Sequence, residues 1–454
     1  MAEPSAAYSP SLGSQSRRDV FKIAAMAASA AWLQSCAGVA PRRRPAGDKL
    51  NLAIIGCGGK GETDAEAVAG ENVIALCDVD SMRAKKTFAA FPNARRYEDY
   101  RVMLARESEL DGVVISTPDH THAGPALHSM RRGLHVFCQK PLTHTVQEAR
   151  LLREMAARTG VVTQMGNQGT AMDGFRTGVE SIRSGVLGAI REVHVWTNRP
   201  IWAQGMARPK EIDPIPAHLR WDLWLGPAPY RPYHKSYAPF HWRGYWDFGT
   251  GALGDMACHL MNLAYFALEL GAPTLVACEK IEGLLEETGP KKSILRFEFP
   301  ARGNRGPVTL RWYDGGHLPD LALAPGITKF GAGGSLLVGE RGTLYSSDDY
   351  GARFELLPKE RFVDWKPPAP TLARVLEKEA THQIHREWLD GIRGGPRPSS
   401  SFAHSGPFTE AVLLGNVALR SGRTIRWDSV RGVTDSAETD RLLSHEYCYG
   451  FGLD

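Results

Sequence analysis

The apolar run Leu50-Asn51-Leu52-Ala53-Ile54-Ile55 empties into Gly56-Cys57-Gly58-Gly59-Lys60-Gly61, and Glu62 to Ala69 continues with helical composition. A strand, a GxGxxG turn and a helix in that order open a βαβ unit built around a dinucleotide, which commits the chain to a doubly wound parallel sheet. The glycines let the backbone turn tightly and approach a pyrophosphate; the helix start adds N–H donors and a positive dipole end. A second apolar run, Val73-Ile74-Ala75-Leu76-Cys77, ends in Asp78, roughly twenty residues downstream, where a carboxylate accepts both hydroxyls of an adenosine ribose. That charge repels a 2′-phosphate, so NAD is expected rather than NADP; Arg83 is the nearby cation that argues the other way.

The pattern repeats. Asp111 to Ser116 reads as a strand, Thr117-Pro118-Asp119-His120-Thr121-His122 as its exit loop and Ala126 to Arg132 as a helix. Leu134 to Cys138 is the next strand, ending in Gln139-Lys140-Pro141, and Val161 to Met165 closes the sheet before Gly166-Asn167-Gln168-Gly169. Strand tips in such a sheet face the ligand crevice, so these loops belong near the nicotinamide half. A lysine there can shed its proton or bond a reacting oxygen; the bland alternative is a solvated surface lysine. Asn167 and Gln168 offer amides to a carboxamide or a sugar hydroxyl. His120 and His122 have HxH spacing but no third ligand nearby, so no metal is expected.

Residues 50–170 therefore form a nucleotide domain and 171–454 a second one, since some four hundred residues exceed a single core. In the second, Phe175 to Ser184 reads as a helix and Ile190 to Thr197 as a strand. Further strands are expected at Thr274–Ile281, Ser293–Phe299, Val308–Tyr313, Ser335–Val338 and Thr343–Ser346, spaced by turns as in an antiparallel sheet. Helices follow at Glu379–Ile392 and Glu410–Ser421. Asp255 and His259 stand four apart and so share one face of a helix, where the carboxylate can orient the imidazole and make it more basic. The competing reading makes Asp255 a helix N-cap and His259 a packed polar residue. Just before them the chain is rich in Trp and Tyr, whose faces suit the C–H faces of a pyranose. Trp242, Tyr245 and Trp246 are expected to line a pocket, with Arg199 and Arg243 as hydroxyl or carboxylate contacts; otherwise these rings form the core of a long loop.

Net charge is +4 over 454 residues, part of it in the leader, which gives no electrostatic case for nucleic acid. Seven cysteines show neither a CxxC pair nor zinc-knuckle spacing. At the N-terminus, Ser16-Arg17-Arg18-Asp19-Val20-Phe21-Lys22 and the Ala-rich run Ile23 to Leu33 read as a twin-arginine export signal over residues 1–36. Such signals are read on folded chains, so the enzyme can load NAD in the cytoplasm, carry it to the periplasm and hold it tightly there. Leu33-Gln34-Ser35-Cys36 resembles a lipobox; Cys36 is either an acylated membrane anchor or an ordinary residue of a cleaved peptide. Residues 37–49, with Arg42-Arg43-Arg44, read as a solvated linker.

From about residue 50 to its end, the chain resembles the glucose-fructose oxidoreductase and inositol dehydrogenase (Gfo/Idh/MocA) family. The resemblance rests on Gly56-x-Gly58-x-x-Gly61, Asp78, Ser116-Thr117-Pro118 with His122, and Lys140-Pro141. Gln139 departs from the usual Glu-Lys-Pro and removes a charge beside Lys140. The resemblance implies an α/β chain: a Rossmann sheet followed by an α+β domain with a large, mostly antiparallel open sheet whose face makes a dimer or tetramer contact. It also implies an NAD site that includes Gly59, Lys60, His122, Gln139, Asn167 and Gln168, and catalysis by Lys140, Asp255 and His259. The expected reaction moves a hydride from a ring hydroxyl of a sugar or glycoside to NAD. The alternative is a redox-neutral glycosidase that oxidises, eliminates and re-reduces with the same NAD; a binding protein with a vestigial site is a third reading, against which the intact Lys140, Asp255 and His259 argue.

Overall fold

The computed structural model describes residues 47–448 and 450–453. The twin-arginine signal, the Leu33–Cys36 motif and the 37–46 part of the linker lie outside them.

β1 (Asn51–Ile55) is buried along nearly its whole length, as a central parallel strand must be when helices cover both faces. It leads through the glycine turn into α1 (Lys60–Ala67) and on to β2 (Asn72–Cys77). β3 (Arg95–Tyr97), α2 (Tyr100–Arg106), β4 (Gly112–Ile115), α3 (Ala123–Arg131), β5 (His135–Cys138), α4 (Val146–Thr159) and β6 (Thr163–Met165) complete the unit. The six strands run parallel in the order β3-β2-β1-β4-β5-β6. The order reverses between β1 and β4, and the crevice at that switch point is where such sheets take ligands. α4 shows why its ends fall where they do: Thr145 and Glu148 form a reciprocal capping box at the start, and Gly160 turns left-handed at the end.

α5 (Asp173–Arg183) leads into the second sheet. It has nine strands: β7 (Ile190–Thr197), β8 (Leu275–Glu282), β9 (Lys292–Phe299), β10 (Val308–Tyr313), β11 (Gly333–Gly339), β12 (Gly342–Ser346), β13 (Phe354–Leu357), β14 (Ile425–Asp428) and β15 (Val433–Thr434). They lie in the order β13-β12-β11-β7-β10-β9-β8-β14-β15, antiparallel except for the β7–β10 pair. β9 alternates buried and half-exposed residues, the mark of a sheet covered on one face. The covering helices include α6 (Gly251–Leu260) and α8 (Phe402–Ser421).

Two helices differ from expectation. α7 (Gln383–Ile392) begins at Gln383, not Glu379, and α8 begins at Phe402, well before the expected Glu410. Gly406-Pro407 reads as a break, since an interior proline costs about 3 kcal/mol. The helix runs through it because Phe402 and Phe408 on either side are fully buried, and each such ring is worth a comparable amount. The C-terminal part also serves the first sheet: α7 places Trp388 and His385 against Phe137 of β5, and α8 packs along α4.

Candidate active site

A cavity of about 550 Å³ opens at the strand tips between the two sheets. On one side lies the glycine turn. A Cβ on Gly61 would stand 1.7 Å from Gly56 O, one on Gly56 2.8 Å from the Ser116 carbonyl carbon, and Gly56 has φ +83°. These positions tolerate only glycine, so the turn presents bare backbone to the cavity, as an approaching pyrophosphate requires. Asp78 sits beside it. Its Oδ2 accepts the Cys57 and Gly58 amides at 2.6 and 3.1 Å, and among the described residues Oδ1 accepts the Asp80 amide alone, at 2.8 Å, which leaves capacity for a hydroxyl. Burial pushes the Asp78 carboxyl up from its ordinary value, against these bonds. The cradle and the carboxylate together fit NAD.

Beneath the turn lies a group that sequence reasoning missed. Asp64, fully buried in α1, accepts from Ser116 Oγ at 2.7 Å, from Gln139 Nε2 at 2.8 Å and from Lys60 Nζ, with His385 Nε2 3.1 Å away. Burial pushes its pKa up, but His385 and Lys60 outweigh that and hold it at about 2. Gln139 thus meets a carboxylate already in place. The only sequence signal was the i,i+4 spacing of Lys60 and Asp64.

At the other side, β5 delivers Lys140 and α6 delivers Asp255 and His259. Lys140 Nζ donates to Asp255 Oδ1 at 2.6 Å, and Arg243 Nε lies 3.2 Å from the same oxygen. Arg243 also bonds Asp119 at 2.8 Å, and Asp119 in turn accepts from Thr250 Oγ1 at 2.7 Å. Burial raises the Asp255 pKa, yet Arg243 and Lys140 prevail and keep it well below the carboxylate range. Asp255 is the fifth residue of α6, so the N-cap reading fails.

The pairing expected inside Asp255-x-x-x-His259 differs from what the chain builds. Asp255 is taken up by Lys140 and Arg243, while His259 Nδ1 bonds Asn167 Oδ1 at 2.9 Å. Asn167 is fixed by its own donation to Cys258 O, so its oxygen faces the ring and His259 carries its proton on Nδ1. Nor is His259 made more basic. Burial, then the Lys140 charge, lowers it to about 3, so it is a neutral imidazole with its lone pair on Nε2.

Other assignments are corrected by position. Gly59, Gly61 and Asn167 lie behind the cavity wall rather than in it; Asn167 is spent on His259. His122 is fully buried, its ring nitrogens each 2.8 Å from Pro141 O and Thr117 O, and so ties the Lys140 loop to the Thr117 loop without facing the cavity. Tyr245 packs on Tyr237 inside the aromatic loop, and Trp246 lies under Arg420, so neither lines the cavity. For these rings the core-of-the-loop reading holds. Ser116, Thr117, Pro118, Gln168, Arg199 and Trp242 do line it, with Arg243 stacked 4.3 Å over Trp242. Asp349 and Tyr350, from the loop after β12, also line it; Tyr350 meets His259 edge-on at 5.1 Å. No sequence signal marked them. Among the described residues no cluster of His, Cys, Asp or Glu is placed to hold a metal.

Comparison with known proteins agrees with this architecture. Residues 50–167 match the family model described as oxidoreductase family, NAD-binding Rossmann fold, and residues 181–279 match the oxidoreductase family C-terminal alpha/beta domain. The chain is 23% identical over 396 residues to D-apiose dehydrogenase of Paraburkholderia graminis, covering 83% of this chain and 90% of that protein. It is 36% identical over 115 residues to inositol 2-dehydrogenase 2 of Saccharopolyspora erythraea, covering 24% of this chain and 34% of that protein. The WlbA dehydrogenase of Bordetella pertussis, solved with NADH and UDP-GlcNAcA, superposes with a TM-score of 0.58 at 18% identity over 84% of this chain and 99% of that one. Two family models fall in order on the two sheets that enclose the cavity, and the chain belongs to the Gfo/Idh/MocA family of NAD-binding oxidoreductases.

Proposed function

We propose that this oxidoreductase oxidises a ring hydroxyl of a sugar or glycoside, with Lys140, Asp255 and His259 acting on the substrate. The observation that carries the reading is the meeting of a charged lysine pair and a neutral histidine at one end of the NAD cavity. Asp255 holds one N–H of the Lys140 ammonium and leaves two, which can donate to the hydroxyl oxygen and stabilise the carbonyl forming there. His259 Nε2 takes the hydroxyl proton as the C–H bond breaks, with Asn167 holding the ring in the required tautomer. Bound NAD⁺ supplies the hydride acceptor. Trp242 and Trp202 offer apolar faces to the ring, and Arg199, Asp349 and Tyr350 are contacts for its remaining hydroxyls.

The sugar class draws on D-apiose and inositol dehydrogenases among the relatives, which favour net oxidation over the glycosidase reading. The same proposal includes export through the Arg17-Arg18 signal to the periplasm with tightly held NAD, a membrane link only where Cys36 is acylated, and a dimer or tetramer through the half-exposed face of the second sheet. Incubation with a panel of sugars and glycosides, with and without added NAD, tests the activity. A keto-sugar formed with stoichiometric NADH is expected; aglycone release without NADH overturns the proposal.

A further inference from the structure

The cavity has a wall that belongs to neither sheet. Tyr447, Phe451 and Leu453 line it together with Asp78, Tyr100 and Thr121, although they come from the last residues of the chain. Each is tied down over a long sequence separation. Tyr447 OH donates to Glu148 Oε1 at 2.8 Å; Cys448 N donates to Pro227 O at 3.2 Å. Arg101 Nη1 donates to Gly450 O at 2.5 Å, with its guanidinium 4.0 Å over the Phe451 ring, and Arg131 Nη2 donates to Leu453 O at 2.8 Å. The segment is therefore anchored in turn to α4, to Pro227, to α2 and to α3.

Its position along the cavity decides what it can touch. The reacting groups are at the tip of β5, whereas Arg101 and Tyr100 follow β3, four strand intervals away in the sheet order. Asp78, the ribose acceptor, stands between. Around it the cavity is lined by the exit loops of β2, β3 and β4, by Leu223 and Pro227, and by residues of the 447–453 segment. Phe451 is partly exposed while Arg101 stacks on its ring, and it lines the cavity, so it has surface to give to an adenine.

We propose that the C-terminal segment is part of the cofactor site: a strap across its adenosine end, with Phe451 as the base contact and Tyr447 and Leu453 as its flanks, that slows nucleotide release. The strap is held mainly by a few hydrogen bonds and one cation–π contact, with Leu453 resting against the core at its end, and so few ties let it lift when nucleotide leaves. Its contribution is to residence time more than to the chemistry, because it touches none of Lys140, Asp255 or His259.

The test uses the full chain and the Phe451→Ala variant, with a variant lacking residues 444–454 as a second arm. Release of NADH is followed by its fluorescence after a chase with excess NAD, and binding of ADP-ribose and of nicotinamide mononucleotide is measured by calorimetry. We expect release from Phe451→Ala to be about tenfold faster, as loss of one ring contact implies, with ADP-ribose weakened to match and nicotinamide mononucleotide unchanged. A folded Phe451→Ala protein, judged by its melting curve, that releases NADH at the unmodified rate overturns the proposal. Equal weakening of both half-cofactors overturns it as well, because the segment would then support the fold and not the base. If the truncated chain fails to fold, Phe451→Ala decides alone.

Discussion

Replacing Gln139 by glutamate restores the residue usual in the family and should nonetheless harm this protein. Gln139 Nε2 donates to Asp64 Oδ2 at 2.8 Å in a site where Asp64 is fully buried and Gln139 nearly so. A carboxylate there faces a carboxylate. At that separation two unit charges repel by about 6 kcal/mol with an effective dielectric of about 20, a ceiling that the neighbouring Lys60 and His385 reduce. The new group escapes by taking a proton, because the introduced side chain, as a neutral acid, donates to Asp64 much as the amide does. Its folded pKa is then raised above the ordinary value of about 4.3, so the variant matches the parent below that pH and loses stability as pH rises toward the folded value. The loss grows by about 1.4 kcal/mol per pH unit and reaches about 4 kcal/mol near pH 7.5. Urea unfolding of both proteins at several values from about pH 5 to about pH 8 reads this directly, as midpoints that diverge with pH. If Gln139→Glu tracks the parent at every pH, the Asp64 carboxylate is not the reason for an amide at this position.

Asn167→Ala should lower kcat about 10²-fold with little change in KM, because His259 loses the partner that sets its tautomer, while Cys258 O loses a donor at a stability cost of about 1–3 kcal/mol; steady-state kinetics and melting separate the two effects. Asp78→Ala removes the acceptor of three loop amides and of the ribose, so KM for NAD should rise about 10- to 100-fold and the preference over NADP should narrow; an unchanged ratio would reassign the discrimination elsewhere. Burial disfavours the cation of several histidines and lowers their values, to about 3 for His120 and His259 and to about 4 for His135 and His404. The unfolded chain binds these protons near pH 6.5, so stability is full above that value and falls as pH drops toward the folded ones, by up to about 1.4 kcal/mol per unit for each group. Asp64 and Glu148, held at about 2, act only at lower pH, so unfolding midpoints should already decline between about pH 6 and about pH 4.5. A flat profile there would contradict the neutral state of His259.

What could be read from the chain was what local rules govern. Strand, glycine turn and helix announce themselves because backbone sterics at Gly56 and Gly61 act within a few residues, and Asp78 follows by the length of one helix. Six of the second sheet's nine strands, β7 to β12, were found for a similar reason, since turns such as Ala301-Arg302-Gly303-Asn304 interrupt short apolar runs, whereas the shorter β13, β14 and β15 were not expected. Lys140, Asp255 and His259 were chosen correctly as neighbours, but their pairing was not. Asn167 takes His259 because the exit loop of β6 comes close to α6, a fact of packing with no trace in spacing. The aromatic segment misled where it lacks period: Tyr245 and Trp246 differ from Trp242 only in which way an irregular backbone turns them. Asp349, Tyr350 and Phe451 enter the cavity from segments that carry no motif at all.

Trp388 and His385 lie about 250 positions after Phe137, the ring of the first sheet that they cover. A ribosome adding 5–20 residues per second needs on the order of tens of seconds to make that stretch. During this time β5 and the glycine turn exist as a chain with one flank bare, and Asp64 lacks His385. The nucleotide half therefore matures last where it was made first.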